Sequence, residues 1–455
     1  MHRYLKIAVA SLLPVALLGG CNDWLSGTGL TTDPNRPVKT GANQLFVGVT
    51  VTQTTLQTGD LARLFSMWVQ SMAGTDRQAV PLANYVFDED AFSPDWTSVY
   101  AGGGLIDERN IETQELAVGD SLYVGIAKVM EALTMGTAAD VWGDVPYREA
   151  VGSTLEPHLD PQQQVYADIQ AQLDTAVAYL QCTSATCAGP ASSDLWYGGD
   201  ASKWLALAHT LKARYFLHTA TQDPSALASA LSEAQQGISS PDGDFKSYQS
   251  TNPNEWNLWY QFMVIQRSGY IGAGGFGVDL LKTTSDPRLA QYYSTNSVGQ
   301  YAGAPPEGGG GDYSSLAAAR GGADAGQGFE QPIVTYAENE LIIAEAALAT
   351  DQATALAAFN AERASQGVPP HVGLLTLQDV ITEKYIADFQ EIEVWNDWKR
   401  TCLPSLVAAN AAGIPGRLLY PLSAERSANP NIPAPSAQPA RNWNQPTACP
   451  TNVPG

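Results

Sequence analysis

Residues 41–455 read as a mainly α chain, and three observations predict it. Apolar side chains recur at helical spacing: Val165, Ile169, Leu173, Val177 and Leu180 in one stretch, and Leu377, Ile381, Tyr385 and Phe389 in another. Further long segments are rich in Ala, Leu and Glu, residues that lose little on entering a helix. Strand signals, by contrast, are few and short.

In chain order, the β-branched run Leu45–Val51 and the short Tyr85–Phe87 read as strands. Trp96 and Tyr100 stand four apart, a helix-face spacing that points to the core. KVMEALTMGTAAD (128–140) reads as a helix, stopped where Gly143 can take a positive φ and Pro146 fixes the exit. Asp160-Pro161 reads as the cap and first-turn proline of a helix over 162–180. Helices follow at 202–220, with Trp204 as core, at 334–348 and at 376–390. Between them, residues 297–330 are glycine-rich and read as a long loop. From Asn429 onward, proline and asparagine predict an extended tail lying against the surface.

The first twenty residues stand apart. His2, Arg3 and Lys6 precede an apolar run from Ile7 to Leu18 that is shorter than the ~20 residues of a spanning helix. A basic start, a short apolar core and small residues predict a cleaved export signal over 1–20. Leu18-Gly19-Gly20-Cys21 resembles the bacterial lipobox, in which cleavage leaves the cysteine first and its sulfur takes a diacylglycerol. Residues 21–40 are then a tether, and Cys21 is the expected point of membrane attachment. The remaining cysteines, Cys182, Cys187, Cys402 and Cys449, are even in number, as in an exported disulfide framework. Three pairings are open; proximity favours Cys182–Cys187 and Cys402–Cys449.

Composition narrows the function. A formal net charge of −22 repels a phosphate backbone and excludes nucleic acid as a partner. Only 15% of residues are charged, against 11 Trp and 19 Tyr, rings that serve either as core or as surfaces for flat, weakly polar ligands.

The blocks EALTMGTAADVWGDVPYREA (131–150), WLALAHTLKARYFLH (204–218, with Arg214), DPRLAQYY (286–293), YAENELIIAEA (336–346), EKYIADFQEIEVWNDWKR (383–400) and GRLLYPLSAERSANPN (416–431) occur in one order along the chain. With CNDWL and TDPNRP behind the lipobox, they resemble the SusD/RagB family of nutrient-binding outer membrane lipoproteins. The resemblance implies tetratricopeptide-like helical pairs forming a SusD-like scaffold, with an irregular, loop-rich ligand-binding subdomain at about 220–330. It implies a cell-surface protein that captures oligosaccharides, or peptides in some relatives, as the lid of a SusC-like TonB-dependent transporter barrel. Neither catalysis nor a cofactor is implied.

Ligand-contacting residues are expected in loops without helical period. NPNEWNLWYQF (252–262) offers Trp256, Trp259 and Tyr260 for stacking, with Asn254 and Asn257 as donors and acceptors to hydroxyls. A buried aromatic helix end would account for the same pattern. Tyr85 and Phe92 form a second cluster, and Tyr301 and Tyr313 a third. Asp88, Glu89 and Asp90 lack the residue order of a calcium loop, so no metal is expected there. The charges of Glu383, Lys384 and the 395–400 stretch are expected to face water or pair across helical turns, with Tyr385, Phe389 and Trp395 as packing, and Glu338, Glu340 and Glu345 to be structural on a helix that stacks in the scaffold.

Two other classes compete. A helical glycoside hydrolase would need two carboxylates ~5–10 Å apart across an aromatic cleft, and Glu255 beside Trp256 is the position that fits. No zinc-protease, nucleophile-elbow or P-loop motif is present. A helical scaffold that binds only protein would bury Trp256, Trp259 and Tyr260; a ligand-capturing protein would expose them.

Overall fold

The computed structural model describes residues 40–445 and 447–450, so the export signal, Cys21 and nearly all of the expected tether lie outside the described residues. The chain is built from packed helices. In order they are α1 (Ala42–Thr58), α2 (Asp60–Trp68), α3 (Ala79–Ala83), α4 (Ser93–Tyr100), α5 (Leu105–Val118), α6 (Ser121–Trp142), α7 (Gln162–Leu180), α8 (Ala201–Thr219) and α9 (Ala226–Ala234). Then follow α10 (Leu258–Tyr260), α11 (Gly275–Thr283), α12 (Leu289–Tyr292), α13 (Tyr336–Ala347), α14 (Gln352–Ser365), α15 (Leu377–Ala387) and α16 (Glu393–Thr401). Two small antiparallel sheets are formed, one by β1 (Met72–Gly74) with β3 (Ile271–Ala273), the other by β2 (Phe245–Lys246) with β4 (Pro332–Val334). Among the described residues no helix is long and apolar enough to cross a membrane.

Consecutive helices pack on one another as pairs, α6 with α7, α8 with α9 and α13 with α14, and the pairs stack through α7–α8 and α9–α13 contacts. Close approach needs small residues at the crossing. A Cβ on Gly136 of α6 would lie 2.1 Å from the Tyr215 hydroxyl of α8, so only glycine fits. Gly143 ends α6 with φ +82°, as the sequence predicts, and its N–H returns to the Ala139 carbonyl at 2.9 Å. The segment after it is a staple: Asp144 accepts the Gln162 N–H at the start of α7 at 2.8 Å, and Asp160 accepts the N–H groups of Tyr147 and Arg148 at 3.0 and 2.9 Å. The expected role of Asp160 is thereby corrected, because Asp144 serves the helix start and Asp160 holds the preceding turn.

Three further expectations are corrected. Leu45–Val51 lies within α1 rather than a strand: Ala42, Phe46, Val49 and Leu56 are buried at helical spacing, and that packing outweighs the β-branched propensity. Tyr85–Phe87 forms no strand, since Tyr85 has φ +63° and breaks an extended run. The tail is inserted rather than laid on the surface: Asn442, Asn444 and Gln445 are buried, and Asn442 Nδ2 donates to the Asp140 carbonyl at 2.7 Å. Disulfides join Cys182 to Cys187 and Cys402 to Cys449, and the second ties this tail to the end of α16.

The charges of the 383–400 stretch do not face water. They are buried and paired between helices. Arg214 of α8 holds Glu338 of α13 through Nε and Nη2, both at 2.5 Å. Arg400 and Lys384 share Glu345 and Asp397, and Arg288 reaches Asp286 and Glu383. His218 of α8 sits between Asp140 of α6, 2.9 Å from Nδ1, and Glu393 of α16, 2.6 Å from Nε2. Burial alone would hold that imidazole neutral, but the two carboxylates outweigh it and raise it to about 9, so the histidine joins Arg214, whose Nε lies 3.8 Å from Glu393, as a cation of this cluster.

Candidate functional site

Three recesses of about 270, 180 and 610 Å³ adjoin one another. The first and second share Thr55, Leu258 and Gln261, and the second and third share Asp60, Arg63, Phe262 and Gln266. Together they form one groove between α1 and α2 on one wall and the 254–267 segment on the other.

Local structure explains how that second wall is presented. Asn257 caps α10, its Oδ1 accepting the N–H groups of Trp259 and Tyr260 at 2.9 and 3.1 Å. The turn then widens into a π-helical stretch over Gln261–Gln266, a distortion that re-aims side chains. It carries Gln261, Phe262 and Gln266 to the groove. Arg63 of α2 fixes the wall from across the groove: its guanidinium lies 4.5 Å from the Phe262 ring centroid, donates to the Leu258 carbonyl at 3.4 Å and pairs with Asp60.

The lining suits a ligand with apolar faces and a hydroxylated rim. Val47 and Val51 project from α1 into the first recess with 44% and 62% of their surface exposed, opposite Trp256. Exposed aliphatic side chains are ordinary one at a time; here Val47, Val51, Leu195 and Val86 all line the same groove. Phe87, Phe92 and Phe262 line the largest recess, beside Gln78 and Gln266. At the floor of the middle recess, Asp95 is nearly buried; burial pushes its carboxyl up to about 7, Asp60 adds to the effect and Arg63 opposes it.

Of the residues expected from sequence, Trp256, Asn254 and Phe92 line the groove, Trp256 half-exposed with its indole N–H donated to the Thr251 carbonyl at 3.1 Å. The expectation for Trp259, Tyr260 and Asn257 is corrected. Trp259 is fully buried, Tyr260 is turned inward with its hydroxyl on Asp324 at 2.9 Å, and Asn257 spends its amide on capping and on the Phe329 carbonyl. The turn that begins at Leu258 directs them inward. Tyr85 is likewise engaged, edge-on to Trp68 and accepting the Ala409 N–H at 3.0 Å. Tyr301 and Tyr313 line none of the three recesses. Asp88, Glu89 and Asp90 diverge: Glu89 pairs with Arg426, Asp90 takes the Ser423 N–H and hydroxyl, and Asp88 borders the largest recess. Glu255 lines the first recess and accepts the Ser250 hydroxyl at 2.5 Å.

The α1 face, Arg63, Phe87 and Asp95 are groove residues that the sequence reading does not reach. One signal was available: Val47 and Val51 are four apart, a helical spacing obscured by the β-branched run.

A scaffold of stacked helical pairs bearing one long groove bounded by irregular segments places the chain in a class of mainly helical frameworks whose groove is closed by loops. Residues 34–421 match the SusD-like model described as starch-binding, associating with outer membrane, and the chain belongs to that family. No curated protein matches it in sequence. Among solved structures, a SusD/RagB family protein from Bacteroides thetaiotaomicron superposes with TM-score 0.73 at 21% identity, covering 90% of this chain and 100% of that one. A chitin-binding SusD homologue from Flavobacterium johnsoniae gives TM-score 0.73 at 20% identity, with 89% and 99% covered. A SusD homologue from Bacteroides fragilis gives 0.70 at 18%, with 86% and 95% covered.

Proposed function

We propose that this protein is a cell-surface, lipid-anchored binding protein that captures oligosaccharides in the α1–α2 groove and delivers them to a SusC-like TonB-dependent barrel. The carrying observation is the groove itself, continuous across three recesses and lined by rings and aliphatic groups together with side-chain amides and charged groups of both signs. Sugar rings present C–H faces to Trp256 and Phe262, while Asn254, Gln261 and Gln266 can donate and accept at each hydroxyl. Asp95, near its midpoint at neutral pH, does the same from the floor. The relative described as chitin-binding supports a glycan as cargo. The protein binds without turnover, Cys21 carries the lipid, and residues 21–40 act as the tether.

Calorimetry of the purified full chain in detergent against neutral oligosaccharides and mixed peptides tests this reading. A glycan is expected to bind, and the W256A/F262A double variant is expected to weaken it at least tenfold. Binding of peptides alone would move the cargo out of the sugar class, and release of shortened sugars would overturn the non-enzymatic reading. For the anchor, Cys21→Ala is expected to leave the fold intact and the protein absent from the outer membrane fraction; retention there would remove the lipobox assignment.

A further inference from the structure

A separate recess of about 560 Å³ shares no lining residue with the groove, and its size is that of a small-ligand site. It opens at the start of α13, between the β2–β4 pair and the 319–330 loop. On one side Arg320 is clamped by rings, its guanidinium 4.4 Å from the centroid of Tyr292, 5.4 Å from Phe329 and 5.8 Å from Phe389. Neither Arg320 nor Lys246, also in the lining, has an ion-pair partner among the described residues. Lining the recess as well is Glu391, only 3% exposed, whose Oε2 has no hydrogen-bond partner. A buried carboxyl oxygen without a partner is costly, so a group that satisfies it has a ready place there.

Charge decides what that group belongs to. The recess carries two cations, Arg320 and Lys246, beside the carboxyls of Asp244 and Glu330 and the Glu391 carboxyl, which burial keeps protonated at neutral pH. A ligand with a full charge of either sign meets like charge at close range. An uncharged molecule dense in hydroxyls uses both kinds of group, donating to the acids and accepting from the cations. Phe329 and Tyr336, both half-buried, supply ring faces beside these polar groups. We infer that this recess is a second, independent saccharide-binding site that takes a neutral polyhydroxylated ring through Arg320, Lys246 and Glu391, with Phe329 as its stacking surface. Burial first, and then Glu338, push the Glu391 carboxyl up to about 8 against Arg214 and Arg320, so at neutral pH it both donates and accepts. Two separate sites on one chain would let a single long glycan be held at two points, raising avidity without tightening either contact.

The test uses the full chain in detergent, titrated with cellobiose and with maltose, in the parent and in the W256A/F262A background. That background strips the groove of its two stacking rings and makes the two readings separable. Binding of a disaccharide is expected to persist in it, and adding K246A or F329A is expected to weaken that residual binding at least tenfold. Lys246 is half-buried and makes no ion pair, so K246A is the variant to rely on should F329A disturb folding. Complete loss of binding in W256A/F262A alone would overturn the second site while leaving the groove intact. Residual binding untouched by K246A would overturn it too, as would competition for the residual site by sodium sulfate, which would make the site anionic in preference.

Discussion

Burial at the groove floor holds the Asp95 carboxyl up to about 7 from an ordinary 3.8, with Asp60 adding to it and Arg63 opposing. A carboxyl whose folded-state value is raised favours folding while protonated, and that contribution is lost as pH rises from 3.8 through 7. Above that range the folded chain bears a buried carboxylate. D95N removes the burden, so its stability advantage over the parent is expected to widen from pH 4 to pH 8, to at most about 4 kcal/mol, read as the shift in urea midpoint. His218 behaves oppositely. Burial lowers it, Asp140 and Glu393 raise it further, and the net is a rise from 6.5 to about 9. Its stabilisation is complete below 6.5 and fades as pH climbs through 9, about 3 kcal/mol in all. H218Q is expected to be much less stable than the parent at pH 6 and to approach it at pH 10. Neither behaviour is visible in the sequence, because each depends on partners from other elements, α6 and α16 for His218 and α2 for Asp95.

Two signals made helices legible from the chain alone: α7 and α15 fall where apolar spacing puts them, and α8 and α13 where a composition rich in Ala, Leu and Glu does. The glycine stop at 143 was legible too, since a helix end and a positive φ point to the same residue. α1 was not, because its burial stripe runs through Thr50, Gln53 and Gln57, polar residues that the core accepts because Gln53 pairs with Thr134, Gln57 with Thr137, and the Thr50 hydroxyl donates to the Phe46 carbonyl. Helix crossings are equally hidden, and Gly136 is the sharpest case. G136A would drive a methyl into Tyr215, and a loss of about 1–3 kcal/mol in denaturant unfolding is expected, partly recovered by adding Y215L. Arg214 was singled out by its position in a family block, and its partner Glu338 was expected to be structural. The geometry adds that neither side chain reaches water. E338Q would leave the guanidinium buried and half-paired, at an expected cost of about 3–5 kcal/mol in urea unfolding.

The chain as a whole buries charges of both signs together. Arg214, Arg288, Lys384, Lys399 and Arg400 are all buried, and so are the carboxylates Glu338, Glu345, Glu383, Glu393 and Asp397, so the interior holds ion-pair clusters rather than lone charges. The groove was only partly legible for a related reason: its walls come from residues 47–63, 86–95 and 254–267, segments brought together by the helical frame rather than by spacing. Trp256 and Asn254 stand out because their loop is locally aromatic and polar, whereas Val47 and Arg63, on the same groove, sit on helices and carry no such mark. The long-range bridge Cys402–Cys449 spans 47 residues and holds the tail in place. C402S/C449S is expected to cost about 2–4 kcal/mol of stability and to expose the tail to limited proteolysis, with the groove residues unaffected.

That inserted tail also sets an order of events during biosynthesis. Asn442 and Asn444 complete the hydrogen bonding of the Asp140 carbonyl and of Gln162, at the heart of the α6–α7 pair, yet they lie 302 and 282 residues further along the chain. The α6–α7 pair therefore cannot complete these hydrogen bonds until residues 442–444 have been made, however early its own helices form.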